Sequence, residues 1–378
     1  MNFPEDVPTL TDGTVTLRAH RAEDAQGSYE QCQDPLSQRW TTVPLPYSMD
    51  DARSFVAETM PAGWRRDTEW AFAIEALDDT GTPRYAGTMS LRNEDDRRAE
   101  IAYGSHPWVR GRGVIERAAR LMLDWGFTEQ GLETVIWWAN TGNWASRKLA
   151  WRLGFSVDGT VRRWLPQRGE LIDGWVGALL ADDERAPRTP WYDAPVVVGD
   201  AVVLRPHRDG DADRVVEACN DERAQYWFHR LPSPYTLEDA REFLEGRVEQ
   251  RACGAGVSWA VTDPGSDDLV ANISLFDVKP GREAEIGYWT HPAARGRGVA
   301  TEACRLVLRH AFVPEEDGGL GLKRVMIYAA EPNTASRRVI EKAGFTEVGR
   351  ERRSLPVRGG ELVDVTCYDM LAEEFPLT

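Results

Sequence analysis

The stretch Glu285-Ile-Gly-Tyr-Trp-Thr-His-Pro-Ala-Ala-Arg-Gly-Arg-Gly-Val-Ala-Thr-Glu-Ala303 decides how the rest of the chain is read. Glu285 to Trp289 is apolar and aromatic enough for a strand, and His291-Pro292 ends it. Arg295-Gly296-Arg297-Gly298 makes a turn. From Val299 onward the apolar positions Ala300, Ala303, Leu306, Val307 and Leu308 fall at helical spacing. Two glycines let the backbone approach a ligand closely and adopt positive φ. A helix that begins at such a turn presents unpaired N–H groups and the positive end of its dipole, which suits phosphate. Arg295 and Arg297 add charge. An ordinary strand–helix turn with solvated arginines shares this local pattern, so the stretch needs support from elsewhere in the chain.

That support is a repeat. Glu100-Ile-Ala-Tyr-Gly-Ser-His-Pro-Trp-Val-Arg-Gly-Arg-Gly113 lies 185 residues upstream. Val15-Thr-Leu-Arg18 answers Val202-Val-Leu-Arg205, and Pro44-Leu-Pro-Tyr47 answers Pro232-Ser-Pro-Tyr235. Asn143-Trp-Ala-Ser-Arg147 answers Asn333-Thr-Ala-Ser-Arg337, and Gly154-Phe155 answers Gly344-Phe345. The offsets drift only between 185 and 190. A period this long denotes two whole domains rather than a solenoid.

Composition agrees. A chain of 378 residues fits two domains of ordinary size, and 42% hydrophobic residues supply a core for each. A net charge of −16 argues against a general nucleic-acid or anionic-membrane binder. It is compatible with a cationic substrate, and equally with an acidic soluble surface. The N-terminal Met-Asn-Phe-Pro-Glu-Asp lacks the pattern of a signal peptide, and no apolar run is long enough to span a membrane. Cys32, Cys219, Cys253, Cys304 and Cys367 are odd in number and have no C-x-x-C spacing, which fits a reduced cytoplasm. The six histidines form no metal-ligand pattern, so no metal is expected.

Read in order, each half opens with a strand ending in arginine (14–18 and 201–205). A polar helix follows (24–32 and 211–219), then a Pro-rich loop and a second helix, with Ser48 and Thr236 as N-caps. Strands are expected at 70–76, 85–91 and 98–103, and at 258–262, 269–276 and 284–289. After them come the Gly/Arg turn with its helix, a strand at 134–139 or 324–329, a helix from 145 or 335, and two closing β segments. Antiparallel strands joined by a crossover helix to a further strand give a mixed sheet flanked by helices, an α+β fold. The expected organisation is a domain at 1–181, a Pro-rich linker at 182–195 and a domain at 196–378.

This order of elements resembles the GNAT superfamily of acyl-CoA-dependent N-acyltransferases, and within it the ribosomal-protein N-terminal acetyltransferases of the RimJ/RimL type. The resemblance covers both halves, as two tandem GNAT-like domains. Arg295-Gly-Arg-Gly-Val-Ala300 matches the family's R/Q-x-x-G-x-G/A pyrophosphate motif in full. The first copy, Arg110-Gly-Arg-Gly-Val-Ile115, carries a β-branched residue in its last position, where it would crowd the first helical turn. It continues with Glu116-Arg117 where the second continues with Thr301-Glu302, and Gly177 aligns with Tyr368. The second half is therefore expected to bind the donor and do the chemistry. The first is expected to be degenerate, with two working sites as the alternative.

The resemblance implies acetyl-CoA as donor and a primary amine as acceptor, either of a small molecule or of a protein N-terminus. The donor-binding residues it implies are Tyr288, Trp289, Thr290, Arg295, Gly296, Arg297, Gly298, Val299, Ala300, Thr301, Asn333, Ser336 and Arg337. An amine is largely protonated at neutral pH and must lose a proton before attack. Glu285, on the strand before the motif, is the candidate base; Glu100 repeats it, which leaves a shared architectural role open. Tyr288, Tyr368 and Ser336 are candidates to protonate the departing thiolate. Asn333 reads equally well as a helix N-cap. The tryptophans Trp137, Trp138, Trp144, Trp151 and Trp164 suit core, interface or a stacking pocket. Two rival readings stay open: another donor, such as aminoacyl-tRNA or a different acyl-CoA, and a non-catalytic acyl-CoA sensor or scaffold. Oligomeric state is not legible.

Overall fold

Ser48 and Thr236 each accept a hydrogen bond from the backbone N–H three residues on, while Asp51 and Asp239 reach back to close a capping box. In the computed structural model, which describes residues 7–377, the chain divides into two units that meet between Arg188 and Thr189. The first holds β1 (Leu10–Thr11), β2 (Val15–Arg18), α1 (Asp24–Gln33), α2 (Pro35–Trp40) and α3 (Met49–Ser54). A π turn leads on to α4 (Met60–Arg66), β3 (Glu69–Leu77), β4 (Pro83–Asn93), β5 (Arg98–Ser105), α5 (Val114–Thr128), β6 (Thr134–Asn140), α6 (Trp144–Arg152), β7 (Gly159–Gln167) and β8 (Glu170–Leu180). The second holds β9 (Val197–Val198), β10 (Val203–Arg205), α7 (Ala212–Cys219), α8 (Glu222–Trp227), α9 (Leu237–Ala252), β11 (Gly256–Thr262) and β12 (Leu269–Lys279). It continues with β13 (Glu283–Thr290), α10 (Val299–Phe312), β14 (Arg324–Ala330), α11 (Thr334–Ala343), β15 (Thr346–Pro356) and β16 (Leu362–Leu371).

Each unit has one eight-stranded sheet, ordered β1-β2-β3-β4-β5-β6-β8-β7 and β15-β16-β14-β13-β12-β11-β10-β9. All neighbours are antiparallel except β5 with β6 and β13 with β14, the two pairs bridged by the crossover helices α5 and α10. Helix α10 turns Val299, Ala303, Cys304, Val307, Leu308 and Ala311 into the core, against Trp259, Ile273, Leu275, Ile286, Val325 and Ile327 of the sheet. Each large apolar side chain buried there contributes roughly 1.5–3 kcal/mol. This packing fixes the start of α10 beside the open end of the parallel pair.

The expected strands and helices are present, most of them longer than expected. Helices α2 and α8 were not expected. Each has six residues, no helical apolar stripe and at most one buried residue, so periodicity has nothing to report. What marks them is chemical: Asp34 and Asp221 cap them through their side chains.

Candidate active site

The parallel pairing of β13 with β14 covers only Glu283–Glu285 against Arg324–Met326, although both strands run on. Beyond that point β13 stays paired to β12 and β14 to β16, on their outer sides. The facing edges of Ile286–Thr290 and Ile327–Ala330 therefore keep backbone N–H and C=O groups that no strand satisfies. Such groups need partners when buried, and an extended arm carrying amides can supply them. Tyr288, Trp289 and Thr290 sit half-buried along this slot.

The Gly/Arg turn lies next along the chain. Gly296 and Gly298 have φ of 77° and 82°, conformations that cost an L-residue with a Cβ. Gly298 is the N-cap of α10. The first intrahelical bond runs from the Glu302 N–H to the Gly298 carbonyl at 3.1 Å, so the N–H groups from Gly298 through Thr301 have no intrahelical acceptor. This is an anion cradle. The arginines behave differently from the motif's expectation. Arg295 is held by Asp221, with Nη1 and Nη2 donating at 3.0 and 2.5 Å, and the guanidinium holds that carboxyl below the usual carboxylate range. Arg297 makes one exposed bond to Asp263 at 3.0 Å.

At the open end of the slot, Asn333 caps α11 by accepting from the Ser336 N–H at 3.2 Å, as its alternative reading expected. The Ser336 hydroxyl meets the Tyr288 hydroxyl at 3.0 Å. Burial pushes the Tyr288 phenol well above its ordinary value. Arg337 Nε donates to Tyr368 Oη at 3.0 Å. Tyr368 is only 1% exposed and belongs to the core cluster, so its ring is structural even though its hydroxyl points to the α11 arginine. Pro332, Asn333, Thr334 and Ala335 face Glu222, Arg223, Tyr226 and Trp227 of α8 across a cleft of about 340 Å³.

Glu285 is the last residue of the parallel ladder, and its pKa is pushed up to about 7. Burial is the main cause, with the carboxylates of Asp277 and Glu351 adding to it. In the first unit burial also raises Glu100, but Arg92 opposes it through an ion pair at 3.0 Å. The register explains the difference: Arg92 stands opposite Glu100, and Phe276 stands opposite Glu285. One carboxylate is neutralised by a cation. The other faces an aromatic ring and keeps its basicity.

Other contrasts follow the same pairing. Ile115 packs against the core of the first unit. Glu116, third residue of α5, places a negative charge in the helix's first turn and pairs with Arg120 and Arg152 at 3.0 and 3.6 Å. Trp144 lies 4.7 Å from Trp175 between ring centroids, and Arg147 stacks over both. Trp137 stands where the second unit has Ile327, and packs over Gly177, which stands where it has Tyr368. The Trp137 indole N–H donates to the Ser146 hydroxyl at 3.0 Å, so volume has moved across a strand pair and a new donor saturates the serine. Of the remaining tryptophans named from sequence, Trp138 and Trp164 stack on each other, with Trp164 58% exposed.

A sheet opened between two parallel strands, beside a glycine-turned helix start, is the frame of an acyl-group transferase. The chain belongs to the GNAT acetyltransferase family, whose domain model matches twice, at residues 14–156 and 201–346. It is an N-acetyltransferase that takes its acetyl group from acetyl-CoA, and the residues present fit that donor: an N–H cradle for the pyrophosphate and an amide-hungry slot for the arm. Among its relatives is YdaF of Bacillus subtilis (strain 168), provisionally named a ribosomal N-acetyltransferase. It is 34% identical over 182 residues, which are 47% of this chain and 95% of that protein. The ribosomal-protein-serine acetyltransferase of Escherichia coli (strain K12) is 28% identical over 109 residues, 29% of this chain and 57% of that protein. A GNAT-family acetyltransferase from Bacillus anthracis has a solved structure that covers 48% of this chain and 100% of its own, with 25% identity and a TM-score of 0.41. Among the described residues no helix is long and apolar enough to cross a membrane.

Reading the sequence alone missed Asp221, Asp277, Glu351 and the whole of α8. Asp221 was findable as a cap residue. Asp277 and Glu351 reach Glu285 only through the sheet, so spacing carries no signal of them.

Proposed function

We propose that the second unit is the catalytic one, that Glu285 is its general base, and that its acceptor is the α-amino group of a protein N-terminus. The observation that carries this reading is the unpaired state of Glu285, against the ion-paired state of Glu100. The names of the YdaF and Escherichia coli relatives support the acceptor class. Glu285, ionised above about pH 7, takes the proton of the attacking ammonium. Gly298–Thr301 bind the donor's phosphates through backbone N–H groups, and the slot along Ile286–Thr290 orients its arm. The paired hydroxyls of Ser336 and Tyr288 return a proton to the departing thiolate. Tyr368 orients Arg337 by accepting from its Nε. The first unit, with Ile115, Glu116 and the Trp144 stack where the donor would lie, is degenerate.

A second acceptor class, small di- or polyamines, is favoured by the two additional carboxylates near Glu285, Asp277 and Glu351. The five free thiols support a reducing cytoplasm as the setting of this proposed reaction. The test offers radiolabelled acetyl-CoA with two acceptor sets, a library of peptides with free N-termini and a panel of diamines and amino sugars. Label on peptide N-termini is the expected result. Label confined to the amines replaces the acceptor class, and donor binding without turnover on either set removes the catalytic reading.

A further inference from the structure

Helix α8 is held in an unusual way. Most short helices in proteins persist because one face is buried, but none of the residues Glu222–Trp227 is buried. Half-buried Trp227 packs on Ala330, Val357 and Val363, Gln225 donates to the Cys219 and Pro232 carbonyls, and charged side chains hold the two ends. At the N-terminal end, Asp221 accepts both the N–H groups of Arg223 and Ala224 (3.0 and 3.3 Å) and the two arms of Arg295. At the other end, Arg358, in the turn between β15 and β16, donates to the carbonyls of Gln225 and Leu231, both at 2.7 Å. Its own N–H bonds the Tyr226 carbonyl at 3.0 Å. Charge-assisted bonds of this kind are about twice as strong as neutral ones. The helix so slung forms one wall of the cleft, facing Pro332–Ala335.

Arg295 is the residue immediately before Gly296, at the head of the loop that carries the anion cradle. We propose that Arg295 is a positioning residue for α8 rather than a phosphate ligand: its grip on Asp221 makes the placing of this cleft wall depend on the state of the donor loop. The proposal rests on the reading that the loop at 295–298 holds the donor. Bidentate pairing commits the guanidinium face that a phosphate would need, and leaves phosphate binding to the backbone. The first unit repeats the sling, with Arg110 on Asp34 at 2.6 Å and Arg168 on the Gln38 and Val43 carbonyls. On the same reading the first unit takes no donor, so its α2 serves as an internal control that coenzyme A leaves unmoved.

The test is hydrogen exchange followed by mass spectrometry on the full chain, with and without coenzyme A, beside calorimetric titration of coenzyme A. In the wild type coenzyme A is expected to slow exchange over residues 222–231 by about fivefold or more and to leave 35–41 unchanged. Asp221→Asn keeps an N-cap oxygen but loses the ion pair. It should exchange fast over 222–231 whether or not coenzyme A is present, with affinity kept within about threefold. Asp221→Glu, which restores the charge, should recover part of the response. Arg358→Ala frees the other end and should likewise speed exchange without loss of affinity. An α8 that ignores bound coenzyme A overturns the proposal, as does a tenfold or greater loss of affinity in Asp221→Asn, which would give the pair to the donor. Absence of coenzyme A binding to the wild type instead sinks the reading of the loop. The sling is then judged on the ligand-free exchange of Asp221→Asn, and exchange no faster than wild type overturns it.

Discussion

Glu285 and Glu100 show how one neighbour sets a carboxylate's job. Both are half-buried in a short parallel ladder, Glu285 as its last residue and Glu100 one before the last, and burial raises both. The residue opposite decides the rest, Phe276 in one case and Arg92 in the other. If Glu285 is the base, kcat/KM should rise about tenfold per pH unit below pH 7 and level off above it. Glu285→Gln should lose that limb and about 10²–10⁴ in rate, whereas Glu100→Gln should leave the profile unchanged. A profile of Glu285→Gln that keeps its limb would remove Glu285 as the titrating base. The same shift has a consequence for stability. A carboxyl whose folded pKa is raised favours the folded state most below its unfolded value and loses that contribution as pH climbs to about 7. Glu285→Gln should therefore melt higher than wild type at pH 8 and level with it at pH 4.5. The gain should be on the order of 1 kcal/mol, discounted for the group's partial exposure. Equal melting temperatures at both pH values would show that the carboxylate is well solvated. The sequence put Glu285 forward as a candidate by its place before the motif. It could not separate it from Glu100, because the decisive contacts with Arg92 and Phe276 depend on strand register.

At the scale of elements, the start of α10 and the start of α5 are one device whose first-turn carboxylate stands one position apart, at Glu302, the fourth residue, in α10 and at Glu116, the third, in α5. The third residue is Thr301 in α10 and Glu116 in α5. A negative side chain in a helix's first turn is stabilising by roughly 0.3–1 kcal/mol, through the same dipole that would attract phosphate. Thr301→Glu should thus hold or slightly raise the melting temperature while weakening coenzyme A binding by about tenfold or more in calorimetry. Unchanged affinity would mean that the phosphates lie elsewhere. The motif made this cradle legible from the chain alone, since glycine positions and the apolar stripe of α10 are both written in local order. Helices α2 and α8 were illegible for a matching reason. They bury almost nothing, so they leave no stripe, and their ends are fixed by arginines 74 and 133 residues away in sequence for α8, and 76 and 130 away for α2. Arg295 was read from its motif as a donor ligand, and the carboxylate that engages it is visible only in three dimensions.

At the scale of the whole chain, the two units share a fold, and on the function proposed above they do not share a site. The repeat was plain in the sequence because both halves keep the residues that build the sheet and turn the loop. What was only half plain is how far the first unit departs from the second around the Gly/Arg turn and its neighbouring strands. Ile115 and Gly177 signalled it, while the Trp137 shift and the tilted Trp144–Trp175 pair needed the strand partners. On that proposal three separate features would stand in the donor's way there: bulk at Ile115, the carboxylate of Glu116 and aromatic rings at the head of α6. Removing one should not open the site, since each alone is enough to cost binding. The wild type should therefore take up one equivalent of acetyl-CoA per chain in calorimetry. Gly298→Trp, which both strains a left-handed backbone and fills the cradle, should abolish that uptake while the chain stays folded by circular dichroism. Gly113→Trp, the same insult in the first unit, should leave stoichiometry and affinity as they are. Two equivalents in the wild type would mean that Glu116 and Trp144 yield to the donor, and the first unit would then need an acceptor of its own.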